Sequence, residues 1–312
     1  MEICVHTEPT QRGASYRTLL RAATAAAEFG FHGFFRSDHY LQFGTPVRPA
    51  GASDAWLSLA ALARDTTGIR LGTLVTPVTL RSPVHLAVEV AQVDQMSDGR
   101  AELGVGGGWY AAEYEATAVP FPSDRTARLA EALDIVTGVW RTRPGETFDF
   151  AGDRYRVTGA QAPVTPVQQP GPPVIVGGSG GPRSLDLAVR HAREYNVPFV
   201  PPEEAARIAG LLRLKAEKAG RVEAPRVSVL QTVCCGKDES QAAARAAELG
   251  EQLRPESFAG TPDRIVDLIG RYAEAGVARV YLRVLDMEDP DHLELLGSEV
   301  LPQLPDRRRP AA

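Results

Sequence analysis

At 312 residues, with 44% hydrophobic and 23% charged side chains, the chain is long enough to bury a sizeable core and falls within the size of a single α/β barrel. Its formal net charge of -5, from 34 basic against 39 acidic residues, excludes the basic face that nucleic-acid binding needs, and the one dense basic run, Arg307-Arg308-Arg309, reads as part of a flexible tail over 306–312. Three cysteines without paired spacing (Cys4, Cys234, Cys235) exclude a disulfide framework, and with neither a signal-peptide start nor a membrane-length apolar run a cytoplasmic protein with no membrane and no metal is expected.

In chain order, short β-branched apolar runs alternate with amphipathic segments, the pattern of βα units around a parallel sheet. The predicted strands are Ile3–His6, Gly33–Ser37, Ile69–Val75, Ala101–Val105, Pro173–Val176, Tyr195–Val200, Val227–Cys234 and Arg279–Leu285. Between them, Ser82-Pro83 opens a helix whose Leu86, Val90 and Val93 share a face. Leu129, Ala132, Leu133, Val136, Val139 and Trp140 repeat that spacing in the next. Thr261-Pro262 opens a third, with Ile265, Leu268, Ile269 and Tyr272 on one side before Gly276. The Pro-rich stretch 144–172 holds Thr147–Phe150 and Arg154–Val157 around Ala151-Gly152-Asp153, a small β-hairpin insertion between the fourth and fifth units. Strand count alone leaves an open doubly wound sheet available. Such a sheet calls for G-x-G-x-x-G after its first strand, where this chain has Thr7-Glu8-Pro9-Thr10, so a (β/α)8 TIM barrel is predicted as one domain over 1–305.

A TIM barrel does its chemistry on loops at the C-terminal ends of its strands, so residues that end strands are weighed first. Asp38 and His39 follow strand two, an acid beside an imidazole suited to proton transfer. Read as residues alone, they serve equally well as a turn cap and a surface group. The run Gly177-Gly178-Ser179-Gly180-Gly181 ends strand five and opens a helix, where backbone N–H groups can hold a phosphate; a plain flexible turn is the other reading. Gly106, Gly107 and Gly108 leave room for a flat ring to approach, with Trp109 and Tyr110 as an aromatic wall or as packing over a loop. His6 ends strand one and can reach the pocket, whereas His32, His85, His191 and His292 sit on helix or turn positions and read as solvated or satisfied. No metal-ligand spacing occurs, and the glycines crowd Ser179 too closely for a serine-hydrolase elbow.

Together these segments resemble the luciferase-like monooxygenase superfamily across nearly the whole chain. The matching stretches are Ala27–Phe31 leading to Ser37-Asp38-His39, Ile69–Pro77 with Arg81-Ser82-Pro83, Asp94–Arg100, Gly104–Trp109 with Glu113, Pro172–Gly178, and Gly260-Thr261-Pro262. The resemblance implies a cofactor ring across the barrel mouth and a phosphate on the Gly177–Gly181 loop. It also implies a non-proline cis peptide at Leu74-Val75, with Thr76 next to it, behind the ring. The compact length and the Asp38-His39 pair resemble the F-420-dependent members. Hydride exchange between deazaflavin coenzyme F-420 and a C=C, C=N or carbonyl/alcohol group of a small substrate is therefore expected, with His39 moving the proton and Asp38 orienting or charge-tuning it. Some F-420 dehydrogenases place a catalytic Glu where this chain has Trp109, so their sugar-phosphate oxidation is not carried over. His6, Trp109, Tyr110 and Glu113 are expected to line the substrate pocket. The alternatives are an FMN-dependent two-component monooxygenase and a non-catalytic flavin-binding barrel. A separate F-420 or flavin reductase is the expected partner, and the resemblance implies a homodimer through helices two and three, with Leu57–Leu62 and Leu86–Val93 as candidate faces.

Overall fold

The computed structural model describes residues 1–12, 14–42, 53–161 and 164–304, so the expected basic tail at 306–312 lies outside the described residues. Eight parallel strands close on themselves: Glu2–Thr7 (β1), Gly33–Arg36 (β2), Arg70–Thr73 (β3), Ala101–Gly106 (β4), Val174–Gly177 (β5), Glu194–Pro198 (β6), Arg226–Cys235 (β7) and Arg279–Arg283 (β8). Each pairs with the next, and β8 returns to β1 through the register Glu2↔Arg279 to His6↔Arg283, which makes the (β/α)8 TIM barrel. Their near-continuous burial, as in β7 and β8, follows from having side chains inside the barrel on one face and helices on the other.

The helices begin and end where their chemistry places them. Ser15 accepts from the Thr18 amide at 3.2 Å to open Tyr16–Phe29, and Gly30 at φ 82° closes it in the left-handed region. Proline stands in the first turn of Pro83–Met96, Pro182–His191, Pro202–Lys218 and Pro262–Glu274. The predicted apolar faces pack inward: Leu86, Val90 and Val93, and Leu129, Leu133, Val136 and Trp140, all belong to the main core. Leu59 and Leu62 are buried there as well. Leu57, 76% exposed, is the large residue of the Leu57–Leu62 face left outside.

Strand ends shift by one or two residues from the sequence reading, as where β6 stops at Pro198 and β8 at Arg283, and two segments differ in kind. The predicted strand Ile69–Val75 is broken: β3 stops at Thr73, the Leu74-Val75 peptide is cis as the resemblance implies, and Thr76–Pro77 pairs separately with Val105 and Gly106 of β4. The insertion is a hairpin of Thr147–Ala151 against Arg156–Gln161, with a longer turn than predicted. That turn is shaped by Glu131, whose carboxylate accepts the amides of Asp153, Arg154 and Tyr155. Phe148 fills the space a β-carbon at Gly138 would need.

Inside the barrel, the first or second residues of the strands form a charged plug. Arg279 donates to Glu102 at 2.7 and 3.1 Å and to Glu2, Arg226 donates to Glu194 at 2.7 Å, and the Tyr281 hydroxyl also donates to Glu194 at 2.7 Å. Above it lies an apolar layer of Cys4, Phe35, Leu74, Ile175, Leu230 and Tyr281, with Val75 and Phe199 packed on it. With the N-terminal ends of the strands plugged, the C-terminal ends are left as the place for a site.

Candidate active site

The segment leaving β2 is clamped from several sides. Ser37 donates its amide to the Thr7 carbonyl, Thr10 donates its hydroxyl to the His39 carbonyl at 2.6 Å, and the Tyr110 hydroxyl donates to the Gln42 carbonyl at 2.9 Å. Glu113, in the short helix Ala111–Ala116, completes the clamp by accepting the amides of Tyr40 (2.6 Å) and Leu41 (3.1 Å). The same carboxylate lies 3.1 and 3.2 Å from His39 Nδ1. Burial alone would raise the Glu113 pKa, but the His39 hydrogen bond and charge and the two amides outweigh it, and the net shift is downward. An ionised carboxylate only accepts, which assigns the imidazole hydrogen of this pair to Nδ1. His39 is 14% exposed, and Trp109, 61% exposed, meets it edge-on at 6.0 Å with Tyr110 5.3 Å beyond.

Asp38 has a different task from the one expected. Its carboxylate accepts from Thr76 (2.9 Å) and from two nitrogens of Arg81 (3.2 and 3.0 Å), and Arg81 continues to Asp54 at 2.8 Å. Adjacent side chains of an extended segment leave on opposite sides, so Asp38 anchors the loop to the end of β3 while Glu113 holds His39. His6 is buried at the end of β1, where its Nε2 donates to the Leu74 carbonyl at 3.1 Å; its Nδ1 has no hydrogen-bond partner among the described residues. Burial lowers its pKa to about 4, so it is neutral at physiological pH.

The glycines divide into two kinds. A β-carbon at Gly106 would sit 2.9 Å from one Val75 methyl and one at Gly177 3.0 Å from the other, so both strands make room for Val75. At Gly108, φ 77°, the Tyr114 hydroxyl occupies the β-carbon position, and at Gly178 the Tyr195 hydroxyl comes within 2.4 Å of it. Gly107 would press only lightly, on Arg125 at 3.2 Å. At these positions protein packs where a β-carbon would stand, at 106 and 108 where a ring is expected to approach and at 177 and 178 in the expected phosphate loop. Gly181 is of the second kind: its β-carbon would meet nothing nearer than Ser184 Oγ at 3.9 Å, and it starts the helix Pro182–His191 without any side-chain cap. Next to it, Ser179 is exposed, Gly180 donates its amide to the Tyr195 hydroxyl at 2.8 Å, and Arg207 lies 3.6 Å from the β-carbon position of Gly180. Leu74 and Thr76 are buried and Val75 half-buried at the mouth.

Three further residues at strand ends were missed in the sequence. Arg283, closing β8, makes a buried two-point pair with Glu8 (3.0 and 2.8 Å). Phe199, just after β6, has a φ of 54°, which a bulky residue rarely adopts, and lies between Arg254 (4.5 Å) and Arg283 (5.4 Å). Glu8 and Arg283 are readable as strand-end charges, whereas the backbone of Phe199 leaves no mark in the sequence. Among the described residues, no group of three His, Cys, Asp or Glu could hold a metal ion, and no helix is long and apolar enough to cross a membrane.

Comparison with known proteins places these features in a family. Over 240 residues the chain is 28% identical to the oxygenase component of flavin-dependent trigonelline monooxygenase from Acinetobacter baylyi, covering 75% of this chain and 63% of that protein's length. The fold matches the coenzyme F-420-dependent tetrahydromethanopterin reductase of Methanopyrus kandleri with a TM-score of 0.80 at 20% identity, over 97% of this chain and 99% of that one. It matches equally the FMN-bound oxygenating constituent of 3,6-diketocamphane monooxygenase from Pseudomonas putida, with a TM-score of 0.79 at 21% identity over the same shares of the two chains. The family model of the luciferase-like monooxygenases matches residues 2–279, and the chain belongs to that family.

Proposed function

We propose that the protein is an F-420-dependent oxidoreductase acting on a C=C, C=N or carbonyl/alcohol group of a small organic molecule. The observation that carries this reading is the His39–Glu113 pair: a half-buried imidazole at the barrel mouth, fixed through Nδ1 by an ionised carboxylate, presents Nε2 as a proton donor or acceptor. The chain's own residues fit a phosphate-bearing planar cofactor. The helix Pro182–His191 lacks a side-chain cap, so its first amides and dipole favour an anion beside Gly181, with Arg207 close to the same loop. Leu74, Val75 and Thr76 would support the ring from the end of β3.

A deazaflavin held there would give the substrate carbon a hydride or take one from it. His39 Nε2 moves the proton that balances the charge at the substrate atom beside the reduced carbon, and Glu113 stabilises the imidazolium when that nitrogen is protonated. Trp109 and Tyr110 wall the site on the solvent side, and the Glu8–Arg283 pair and Phe199 stand at the ends of β1, β8 and β6.

A second reading, an FMN-dependent oxygenase served by a separate flavin reductase, is favoured by the likeness to an oxygenase component. Titration of the purified protein with F-420 and with FMN, followed by fluorescence quenching, separates the two. The proposal expects F-420 to bind at least about tenfold tighter. The reverse preference, with substrate turnover only when reduced FMN and oxygen are supplied, replaces it with the second. The proposal includes a cytoplasmic homodimer in which Leu57 is covered; sedimentation at micromolar protein showing monomer alone removes that part.

A further inference from the structure

The end of the barrel opposite His39 carries a pocket of its own. Its walls are the segments that enter β5 and β6 and the last turn of the helix Arg125–Arg141, which places it at the N-terminal ends of the strands. It encloses about 280 Å³, and its lining includes Arg141, Arg190, Arg193, Arg221, His191 and Gln169.

Four guanidinium groups in one pocket are unexpected in a chain whose net charge is -5, because like charges gathered together repel unless something answers them. Asp134 answers Arg190 at 2.8 Å, and Glu223 acts on Arg221 from nearby. Arg221 is fixed by donating to the carbonyls of Ala188, Val189 and Ala192, at the end of the helix Pro182–His191. No carboxylate among the described residues pairs with Arg141 or Arg193, and both are exposed to the pocket's solvent. Burial holds His191 down to about 4, against the pull of Asp134 and with the push of Arg190 and Arg141, so its imidazole adds no charge at neutral pH. Two positive charges are thus left over in a concave space. A guanidinium matches an anion with two coplanar oxygens, and about 280 Å³ is at the small end of ligand sites, which commonly measure about 300–1,000 Å³.

We infer that this pocket binds a compact multivalent oxyanion, a small molecule bearing two or more phosphate or carboxylate groups, through Arg141 and Arg193 with Arg221 as a fixed third charge. A monovalent ion would leave charge unanswered, and a polymer strand would not fit the volume. The site is separate from the catalytic mouth and stands or falls independently of the cofactor.

Calorimetric titration of the full chain with inorganic pyrophosphate and with citrate, at constant ionic strength set by sodium chloride, is the test. At least one of them is expected to bind with a Kd below about 1 mM. The ratio of the two affinities then says whether phosphate or carboxylate groups are preferred. The double variant Arg141→Gln/Arg193→Gln is expected to weaken that binding at least about tenfold, while Arg17→Gln/Arg213→Gln, which removes the same charge from exposed helix positions elsewhere, leaves it unchanged. An unchanged circular-dichroism spectrum and melting temperature of the first double variant show that it is folded. The inference is overturned if both anions bind with a Kd above about 1 mM or not at all, by equal losses in the two double variants, or by binding that Arg141→Gln/Arg193→Gln does not weaken.

Discussion

Glu113 and His39 come from different βα units, yet the carboxylate and Nδ1 meet at 3.1 Å, and the same carboxylate holds the backbone on either side of Tyr40. One side chain therefore sets both the tautomer of the imidazole and the path of the loop that carries it. His39→Ala is expected to lower turnover by about 100-fold to 10,000-fold with a much smaller change in cofactor affinity, because the imidazole acts on charge developing in the transition state. Glu113→Gln, which keeps the shape and loses the ionised acceptor, is expected to cost about 10-fold to 100-fold in kcat. Steady-state kinetics beside cofactor titration checks both. Equal losses of rate and affinity in His39→Ala would reduce it to a residue that shapes the pocket.

The phosphate loop is best probed at Gly181. Gly178 is the obvious place for a carboxylate, but a β-carbon there meets Tyr195 at 2.4 Å, and failure to bind would be confused with failure to fold. Gly181 has an extended backbone, φ -66° and ψ 145°, and open space for a side chain at the helix N-cap. Gly181→Asp is expected to keep or slightly raise the melting temperature, since Asp is a favoured N-cap, while cofactor affinity falls at least about tenfold. Unchanged affinity in the folded variant would move the phosphate elsewhere.

Stability should depend on pH through two buried histidines. Burial depresses both His6 and His191 to about 4, below the unfolded value near 6.5, so the unfolded chain binds more protons between those limits. Their contribution is complete above about pH 6.5 and is lost as pH falls toward about 4, amounting to roughly 3 kcal/mol for each histidine. Urea denaturation from pH 7.5 to pH 4.5 measures it, and His191→Gln should flatten the curve. A midpoint that stays constant across this window would contradict the assignment.

The charged plug should be intolerant of partial removal. Arg279→Met leaves Glu102 buried without its main cation and takes a second one from Glu194, and a loss of about 3–5 kcal/mol is expected in chemical denaturation. Its pairing explains why Glu102, despite burial that would raise its pKa, is held at about 2 by Arg279 and Arg70. A loss below about 1 kcal/mol would mean that water reaches the plug and screens it.

Much of the architecture was legible because a barrel imposes regular physics on its sequence. The apolar strands and the inward helix faces at Leu86, Val90 and Leu133 follow from burial that repeats unit after unit. What was not legible depends on which way one side chain turns. Asp38 and His39 are neighbours in sequence, and no periodicity says that the first points to Arg81 and the second to Glu113. Glycines 106, 108 and 178 looked like room for a ligand because a sequence cannot show that Val75, Tyr114 and Tyr195 come from elsewhere to fill that room. The hairpin turn was set too short for the same reason, as its extra residues are held by Glu131 from the preceding helix.

The placement of Val75 has a consequence for how this mouth can vary. Its two methyl groups each press into the β-carbon space of a glycine that ends one of the next two strands, Gly106 of β4 and Gly177 of β5. The three positions, far apart along the chain, therefore behave as one choice. Alanine at either glycine alone would press on Val75, whereas alanine there together with a smaller residue at 75 would release the pressure, so the three substitutions should be strongly non-additive. Redesign of this end of the barrel has to treat them as a set, and among relatives a change at one should travel with changes at the other two.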